Sequence, residues 1–231
     1  MKLLLTFNGI TSPELEKAFA EMTDGRTDLR VAVIPTAGDP IEWIPDPMDA
    51  KKFTAKLTGQ SDLEKNQQYL DYQKKGYDVI IVDLKHNPEV VREKLENVDI
   101  IDVGGGDVNY LLDWARKSKL DMYLKDLLLT GAVYVGASAG SMLLLPDIGL
   151  TWYEPGDQSD HVGIGIVDFL ITPHKKEAEL ETNVIDLVKR REHLQSIMNY
   201  PWKIYLLQDG QAVQVVGEKI EHIGPGKKRS I

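Results

Sequence analysis

Short, predominantly apolar segments alternate with stretches of helical spacing through the first part of the chain. The predicted strands are Leu3 to Phe7, Val31 to Pro35, Val79 to Leu84, Ile100 to Val103 and Ala132 to Val135. Strands that lack a polar face are buried on both sides, and helical crossovers join strands that run parallel. The pattern therefore predicts an α/β fold, in which a mostly parallel sheet has helices on both faces.

The segments between these strands carry helix and loop signals. Ser12 as N-cap and Pro13 at the first helical position predict the start of a helix. Asp39 to Pro47 contains three prolines and is predicted to be an irregular loop. Further helices are predicted over Leu63 to Lys75, Pro88 to Asn97 and Val108 to Leu128.

The pattern changes after Gly149. A polar stretch leads to the apolar segment Ile166 to Ile171, and a helix is predicted over Lys176 to Arg190. Two strands, Ile204 to Leu207 and Ala212 to Val216, flank an Asp-Gly pair that is typical of a hairpin turn. We therefore expect a C-terminal β-hairpin. No repeat or linker divides the chain, so a single domain over residues 1–231 is predicted.

Composition excludes several classes of function. The absence of cysteine rules out disulfides, thiolate metal sites and a cysteine nucleophile. A net charge of −9 disfavours nucleic acid as a partner. No segment approaches the roughly 20 apolar residues of a membrane span, and the apolar run after Met1 ends at Asn8-Gly9, which is short for a signal peptide. We expect a cytoplasmic enzyme without a membrane partner, and the oligomeric state is not indicated.

The pentapeptide Gly136-Ala137-Ser138-Ala139-Gly140 directly follows a predicted strand and precedes a helical run. In that context a G-x-S-x-G motif places its serine on a tight strand-to-helix turn, where small neighbours avoid backbone clashes. The N–H groups at the start of the next helix favour negative charge near the serine oxygen. We predict a nucleophile elbow with Ser138 as the nucleophile, and a small-residue packing turn is the alternative.

A glycine-rich segment, Asp102 to Asp107, follows the fourth predicted strand. Ligands bind at the carboxyl ends of strands in open α/β sheets, and the spacing here matches neither the dinucleotide-binding motif nor the P-loop. We favour an oxyanion hole, in which a glycine N–H of this segment acts together with the N–H of Ala139. The alternative is a turn that simply requires a positive φ.

Five histidines are candidates for a catalytic base. His86 in a turn and His193 in a charged helical stretch are expected to be solvated. His174 follows a predicted strand and a proline, whereas His161 lies in a polar loop and His222 near the C-terminus. The position of His174 favours it without excluding the other two. No histidine pair has the spacing of metal ligands, so neither a metal nor a cofactor is expected.

Several of these segments, in this order, resemble peptidase E and its relatives. Those proteins are serine peptidases with a flavodoxin-like α/β fold of the class I glutamine-amidotransferase type, and cyanophycinases belong to the same wider group. The resemblance runs from about Val79 to His174, with a weaker similarity at Gln208 to Ala212. It is carried by Val103 to Asp107, Leu111-Leu112, Gly131 to Gly140, Gly165 to Phe169 and Pro173-His174.

The resemblance implies roles for individual residues. Ser138 would be the nucleophile and His174 the base, and the N–H groups of Gly106 and Ala139 would form the oxyanion hole. It disfavours the α/β-hydrolase interpretation of the same pentapeptide, in which the histidine comes much later and would be His222.

The chain departs from the family pattern at two places. The glycine segment often ends in asparagine in the family, whereas this chain has Asp107. The acidic triad member lies after the elbow helix in the family, but a gapless count from the serine falls on Tyr153. Glu154 is the adjacent carboxylate and is the predicted third member, with Asp157 as the second choice.

Together these features predict a serine hydrolase that cleaves short peptides through a Ser-His-Glu/Asp triad and an acyl-enzyme. The resemblance implies a small peptide with an N-terminal aspartate as substrate. Lys175 and Lys176 are candidates for binding its carboxylate. Two alternatives remain: another acyl hydrolase, such as an esterase or amidase, on the same fold, and a non-catalytic amidotransferase-like binding module.

Overall fold

The computed structural model describes residues 1–39, 41–46, 49–57, 67–149, 162–172 and 202–231, with the backbone alone for residues 41–57. The strands are β1 (Lys2–Thr6), β2 (Arg30–Ile34), β3 (Ile41–Asp46), β4 (Asp49–Leu57), β5 (Asp78–Ile81), β6 (Ile100–Val103), β7 (Val133–Ala137), β8 (Phe169–Thr172), β9 (Lys203–Leu206), β10 (Ala212–Val216), β11 (Lys219–Ile223) and β12 (Arg229–Ser230). The helices are α1 (Pro13–Met22), α2 (Gln67–Lys74), α3 (Pro88–Leu95), α4 (Val108–Lys117), α5 (Leu120–Leu129) and α6 (Ala139–Met142).

The central sheet has seven strands in the order β11-β10-β1-β7-β6-β2-β5. Five neighbouring strands of this sheet are parallel: β1, β7, β6, β2 and β5. Strands β10 and β11 extend the sheet in antiparallel fashion beside β1. All five predicted strands of the first part of the chain are present, and the predicted α/β class is confirmed. Because the five strands are parallel, their carboxyl ends lie along one edge of the sheet.

Helices cover both faces of this sheet, as predicted. Alternate residues of β1 point to opposite faces of the sheet. Leu4 packs in the hydrophobic core on the side of α1 and α2, whereas Leu3 and Leu5 pack in the core on the side of α3, α4 and α5. Helix α1 begins as expected, because the Ser12 hydroxyl accepts a hydrogen bond from Leu15 N–H and Pro13 occupies the first turn. Among the helices of the described residues, none is both long and apolar enough to cross a membrane.

The C-terminal strands form a hairpin, but not the one expected from the Asp-Gly pair. The hairpin joins β10 to β11 through Gly217-Glu218. Strand β9 instead lies in a second sheet of order β12-β9-β8, where it runs parallel to β8. The turn around Asp209-Gly210 therefore carries the chain from one sheet to the other, because β10 is already paired on both sides by β1 and β11.

The segment predicted to be an irregular loop is a β-ladder, so that prediction is wrong. Strand β3 pairs with β4 in antiparallel register, with Ile41 opposite Leu57 and an irregularity between Pro45 and Asp46. Proline is tolerated in an isolated two-stranded ladder because both strands are edges, where an absent N–H need not break a ladder bond.

Candidate active site

Ser138 occupies a strained turn at the carboxyl end of β7. Its φ and ψ are 49° and −108°, and it is directly followed by α6. A positive φ is uncommon for a residue with a side chain and costs about 1–3 kcal/mol. Such strain marks a position where geometry is held by the surrounding fold, and it confirms the predicted elbow at the centre of the sheet.

The two glycines of the pentapeptide are required by close backbone contacts. A Cβ at Gly136 would lie 2.7 Å from Ser141 N, and one at Gly140 would lie 2.1 Å from Val103 O. Helix α6 therefore crosses directly over the ends of β7 and β6. The sequence argument that a Cβ on either flank would clash is confirmed.

A hydrogen-bonded clamp that the sequence did not indicate holds the elbow to β1. Thr6 Oγ1 donates to Gly136 O over 2.7 Å. Ser141 Oγ lies 2.7 Å from Gly136 O and 2.9 Å from Thr6 O, and Ser138 N–H donates to Thr6 O over 3.2 Å. Thr6 and Ser141 are fully buried, so their hydroxyls fix the orientation of the backbone at the elbow.

The glycine segment lies against the elbow. A Cβ at Gly105 would be 3.3 Å from Ser138 Cβ. Gly106 has a φ of 147°, and a Cβ there would lie 2.0 Å from Ala37 O. Asp107 N-caps α4, since its Oδ1 accepts from Tyr110 N–H over 2.9 Å. Asparagine and aspartate cap helices equally well, which accounts for the departure from the family pattern at Asp107.

The predicted oxyanion groups are available in this arrangement. Within the described residues, neither Gly106 N–H nor Ala139 N–H has a hydrogen-bond acceptor. Both belong to segments that meet at Ser138, one after β6 and one at the start of α6. Unpaired N–H groups beside a serine suit a developing oxyanion, so the geometry is compatible with the predicted hole.

The base and the carboxylate of the predicted triad, His174 and Glu154, lie outside the described residues, as do Asp157 and His161. The alternative base His222 is described, and it is engaged elsewhere. It lies on β11, three strands from β7, or about 14 Å at the usual strand spacing. Its Nε2 is 3.0 Å from Gln211 Oε1. Burial, with the charges of Lys228 and Lys203, lowers the pKa of His222 to about 4.

A buried carboxylate, which the sequence pattern did not indicate, lies beneath the glycine segment. Asp102 on β6 is 3% exposed and accepts a 2.7 Å hydrogen bond from Gln68 Nε2 of α2. Gln68 also contacts the glycine segment, since a Cβ at Gly104 would be 2.8 Å from its Oε1. Burial raises the pKa of Asp102 to about 7, although the Tyr72 hydroxyl acts in the opposite direction. In the sequence, Asp102 stands out only as a single carboxylate within an otherwise apolar strand.

Replacing Asp102 with asparagine is expected to stabilise the protein at alkaline pH. The folded state holds the Asp102 proton up to about pH 7, whereas an unfolded aspartate loses it near pH 4. Stability of the wild type therefore falls as pH rises through that window, and Asp102→Asn removes the fall. Urea unfolding should show the variant more stable at pH 8 by on the order of a few kcal/mol, and similar at pH 4.

The exposed carboxylate of Asp126 on α5 provides the control. Asp126→Asn removes one negative charge without relieving burial, so its stability should follow the wild type at both pH values. Equal stability of Asp102→Asn and the wild type at pH 8 would contradict the raised pKa.

The described residues contain no group of three or more histidine, aspartate and glutamate side chains that could hold a metal ion. What they do contain is a serine on a strained elbow, at the carboxyl edge of a parallel sheet, with free N–H groups beside it. Fold and site together define an α/β protein that carries a serine on a strand-to-helix elbow.

The sequence matches peptidase family S51 over residues 3–223, and the chain belongs to that family. This membership confirms the resemblance to peptidase E. The match covers the central sheet from β1 to β11, including the elbow and the glycine segment.

Named relatives agree with the family. The chain is 28% identical over 118 residues to an uncharacterized peptidase of Pasteurella multocida, covering 48% of this chain and 57% of the relative. It is 25% identical over 154 residues to peptidase E of a Nostoc species, covering 66% and 62%. It is 36% identical over 83 residues to peptidase E of Salmonella arizonae, covering 36% of each. The matches thus span less than two thirds of these curated relatives.

Solved structures share the fold. A Listeria monocytogenes protein assigned provisionally to peptidase E superposes with a TM-score of 0.66 at 19% identity, covering 97% of this chain and 98% of the other. A peptidase from an acI-B1 actinobacterium gives 0.61 at 18% identity, covering 100% and 93%. At these identities the likeness concerns the fold alone.

Proposed function

We propose that this chain is a serine peptidase that hydrolyses short peptides through an acyl-enzyme, with Ser138 as the nucleophile and His174 as the base. The strained backbone of Ser138 at the carboxyl end of β7 is the observation that carries the proposal. Strain of this kind is retained where a reactive group must be presented. Membership of a peptidase family supplies the reaction class.

In the proposed reaction the Ser138 oxygen attacks the peptide carbonyl while His174 accepts the serine proton. The carbonyl oxygen becomes negatively charged and receives hydrogen bonds from the N–H groups of Gly106 and Ala139. His174 then protonates the leaving amine. Water, deprotonated by the same histidine, attacks the acyl-enzyme; the bond to Ser138 breaks, the histidine returns the proton to the serine oxygen, and the acid is released. No step needs a metal or a cofactor.

Glu154 remains the predicted carboxylate that orients His174, with Asp157 second, and the structure adds a third candidate. Strand β8 ends at Thr172, two residues before His174 in the sequence, and it runs parallel to β9. The pairing continues past the strand ends, since Leu207 N–H donates to Thr172 O over 3.1 Å. Asp209 is exposed and follows β9 by three residues, so Asp209 and His174 both come shortly after the ends of two paired parallel strands.

A comparison of Glu154→Gln, Asp157→Asn and Asp209→Asn should identify the orienting carboxylate. The substitution of that residue is expected to lower kcat by up to about 10⁴-fold, because the imidazole loses its fixed tautomer. The other two should stay near the wild type. The measurement is turnover of an Asp-X dipeptide, with Ser138→Ala as the lower limit.

Each outcome of that comparison is informative. A large loss in Asp209→Asn alone would overturn the assignment of Glu154. Full activity in all three variants would show that the base is oriented without any of these carboxylates.

The proposed substrate is a small peptide with an N-terminal aspartate, which rests on the similarity to proteins named peptidase E. Lys175 and Lys176 remain candidates for binding the aspartate carboxylate. A cytoplasmic location is also proposed, because a chain without cysteines has no need of an oxidising compartment. The net charge of −9 supports a small-molecule partner over a nucleic acid.

The test of the function is labelling with a fluorophosphonate, followed by a panel of dipeptides that differ at the first residue. We expect covalent labelling at Ser138 and fastest turnover for Asp-X. Labelling with turnover of esters or amides but not dipeptides would favour another acyl hydrolase. Absence of both labelling and turnover would favour a non-catalytic binding module.

A further inference from the structure

An ion pair between a buried aspartate and a half-buried lysine lies beside the glycine segment, on two loops that the proposed reaction does not use. Asp39 follows the 3-10 turn Thr36–Gly38 after β2, and its side chain is inaccessible to solvent. Lys85, in the loop after β5, hydrogen-bonds to the Asp39 carboxylate and also lies 3.4 Å from Asp83 Oδ2. Burial acts to lower the pKa of Lys85, but Asp39 and Asp83 outweigh it, so the pKa is raised and the ammonium stays charged.

The ion pair joins the loop after β5 to the turn after β2. A second contact supports the same junction, because Leu84 N–H donates to Thr36 Oγ1 over 3.1 Å. Asp39 N–H in turn donates to Thr36 O over 3.2 Å and closes the 3-10 turn. The position of this turn is therefore tied to Lys85 at one end and to Leu84 at the other.

The same turn forms the wall against which the glycine segment rests. Ala37 O accepts a 2.8 Å hydrogen bond from Asp107 N–H. A Cβ at Gly106 would lie 2.0 Å from that oxygen, and a Cβ at Gly38 would lie 3.7 Å from Gly105 O. Gly106 thus lies directly against the 3-10 turn, and its neighbour Gly105 lies against Ser138. A shift of Ala37 is therefore expected to move Gly106, whose N–H has no acceptor among the described residues.

We propose that Lys85 and Asp39 are positioning residues for the oxyanion hole: their ion pair holds the 3-10 turn, and the turn fixes the position of the Gly106 N–H. This inference rests on the proposed role of Gly106 in the serine peptidase. The strand order places β2 two strands from β7 and β5 three strands away. The pair accordingly acts through the turn and does not touch the reacting atoms.

The physical reason is the cost of an uncompensated buried charge. Without the ammonium, the buried Asp39 carboxylate has lost its charged partner and is expected to move towards water, and this movement releases the turn. Displacement of a catalytic group by about 1 Å lowers turnover by about 100-fold. Substrate binding depends much less on the oxyanion donors, because they act mainly on the charge of the transition state.

The test compares kcat and KM for an Asp-X dipeptide in Lys85→Met, Lys85→Arg and Asp39→Asn, at a temperature where each variant is folded. We expect kcat of Lys85→Met to fall about 10- to 100-fold with KM within about two-fold of the wild type. Lys85→Arg keeps the cation and should recover most of the loss. Asp39→Asn keeps the shape of the side chain but removes its charge, and the same fall in kcat is expected. It replaces Lys85→Met as the test variant if Lys85→Met does not fold.

Lys117→Met is the matched control, because Lys117 also pairs with an aspartate, Asp113, but on the exposed surface of α4. Its kcat and KM should equal those of the wild type. An unchanged kcat in folded Lys85→Met or Asp39→Asn would overturn the inference, as would a rise in KM at constant kcat. If the wild type itself is neither labelled at Ser138 nor active, the proposed function fails and the positioning role fails with it.

Discussion

Replacing Ser138 with alanine is expected to lower turnover of an Asp-X dipeptide by about 10⁴- to 10⁶-fold. The loss is this large because the serine oxygen forms the covalent bond of the acyl-enzyme, and the oxyanion groups alone supply only a small part of the acceleration. Fluorophosphonate labelling should disappear in the same variant. Residual turnover within about ten-fold of the wild type would exclude Ser138 as the nucleophile.

The strain at Ser138 offers a control for the fold. Alanine keeps a Cβ at a φ of 49°, so Ser138→Ala should unfold at nearly the same urea concentration as the wild type. Ser138→Gly should be the more stable of the two variants by about 1 kcal/mol, because glycine accepts a positive φ without steric cost. Both should be inactive. A glycine variant less stable than the alanine variant would mean that the elbow is not strained.

Replacing Gly106 with alanine is expected to cost both stability and activity. The new Cβ would lie 2.0 Å from Ala37 O, at a φ of 147° that side chains rarely adopt. To relieve this clash, the glycine segment must move away from the 3-10 turn, and the Gly106 N–H moves with it. We expect unfolding to become easier by roughly 3–5 kcal/mol, and kcat of the folded fraction to fall by about 10²- to 10³-fold.

Gly131→Ala separates the clash from the backbone strain. Gly131 also has a positive φ, 123°, but a Cβ there would meet no atom within 4 Å. Its substitution should cost about 1–2 kcal/mol and leave kcat unchanged. Denaturant unfolding and single-turnover kinetics on the two variants provide the comparison. Wild-type turnover in Gly106→Ala would contradict both the packing of the segment and its proposed role in the oxyanion hole.

Local patterns were sufficient for much of the architecture. The five apolar segments became parallel strands because full burial on both faces leaves few other arrangements for such sequences. Ser12-Pro13 starts α1 because an N-cap hydroxyl and a fixed φ act within one turn of helix. The pentapeptide predicted the elbow for the same reason, since Gly136 and Gly140 are needed by contacts close to the serine itself.

Patterns of this kind failed where the partner of a segment lies far away in sequence. The Asp209-Gly210 turn is typical of a hairpin, yet the strands on either side belong to different sheets. Nothing near Asp209 in the sequence shows that β10 is already paired with β1 and β11. The sequence did not predict the β3–β4 ladder because three prolines within nine residues are typical of a loop. Pro45 is tolerated in β3 because both strands of the ladder are edge strands.

The sequence by itself determined the fold class, the elbow at Ser138 and the glycine-rich turn after β6. Each strand, the elbow and the turn depend on residues within a few positions of one another. Only the tertiary structure decided what surrounds them. Asp39 meets Lys85 across 46 residues, and Gln68 meets Asp102 across 34. The first contact exists because the parallel sheet brings the carboxyl ends of β2 and β5 to one edge, and the second because α2 packs on a face of that sheet. The order of strands in a sheet is set by the packing of the whole chain and not by any one segment.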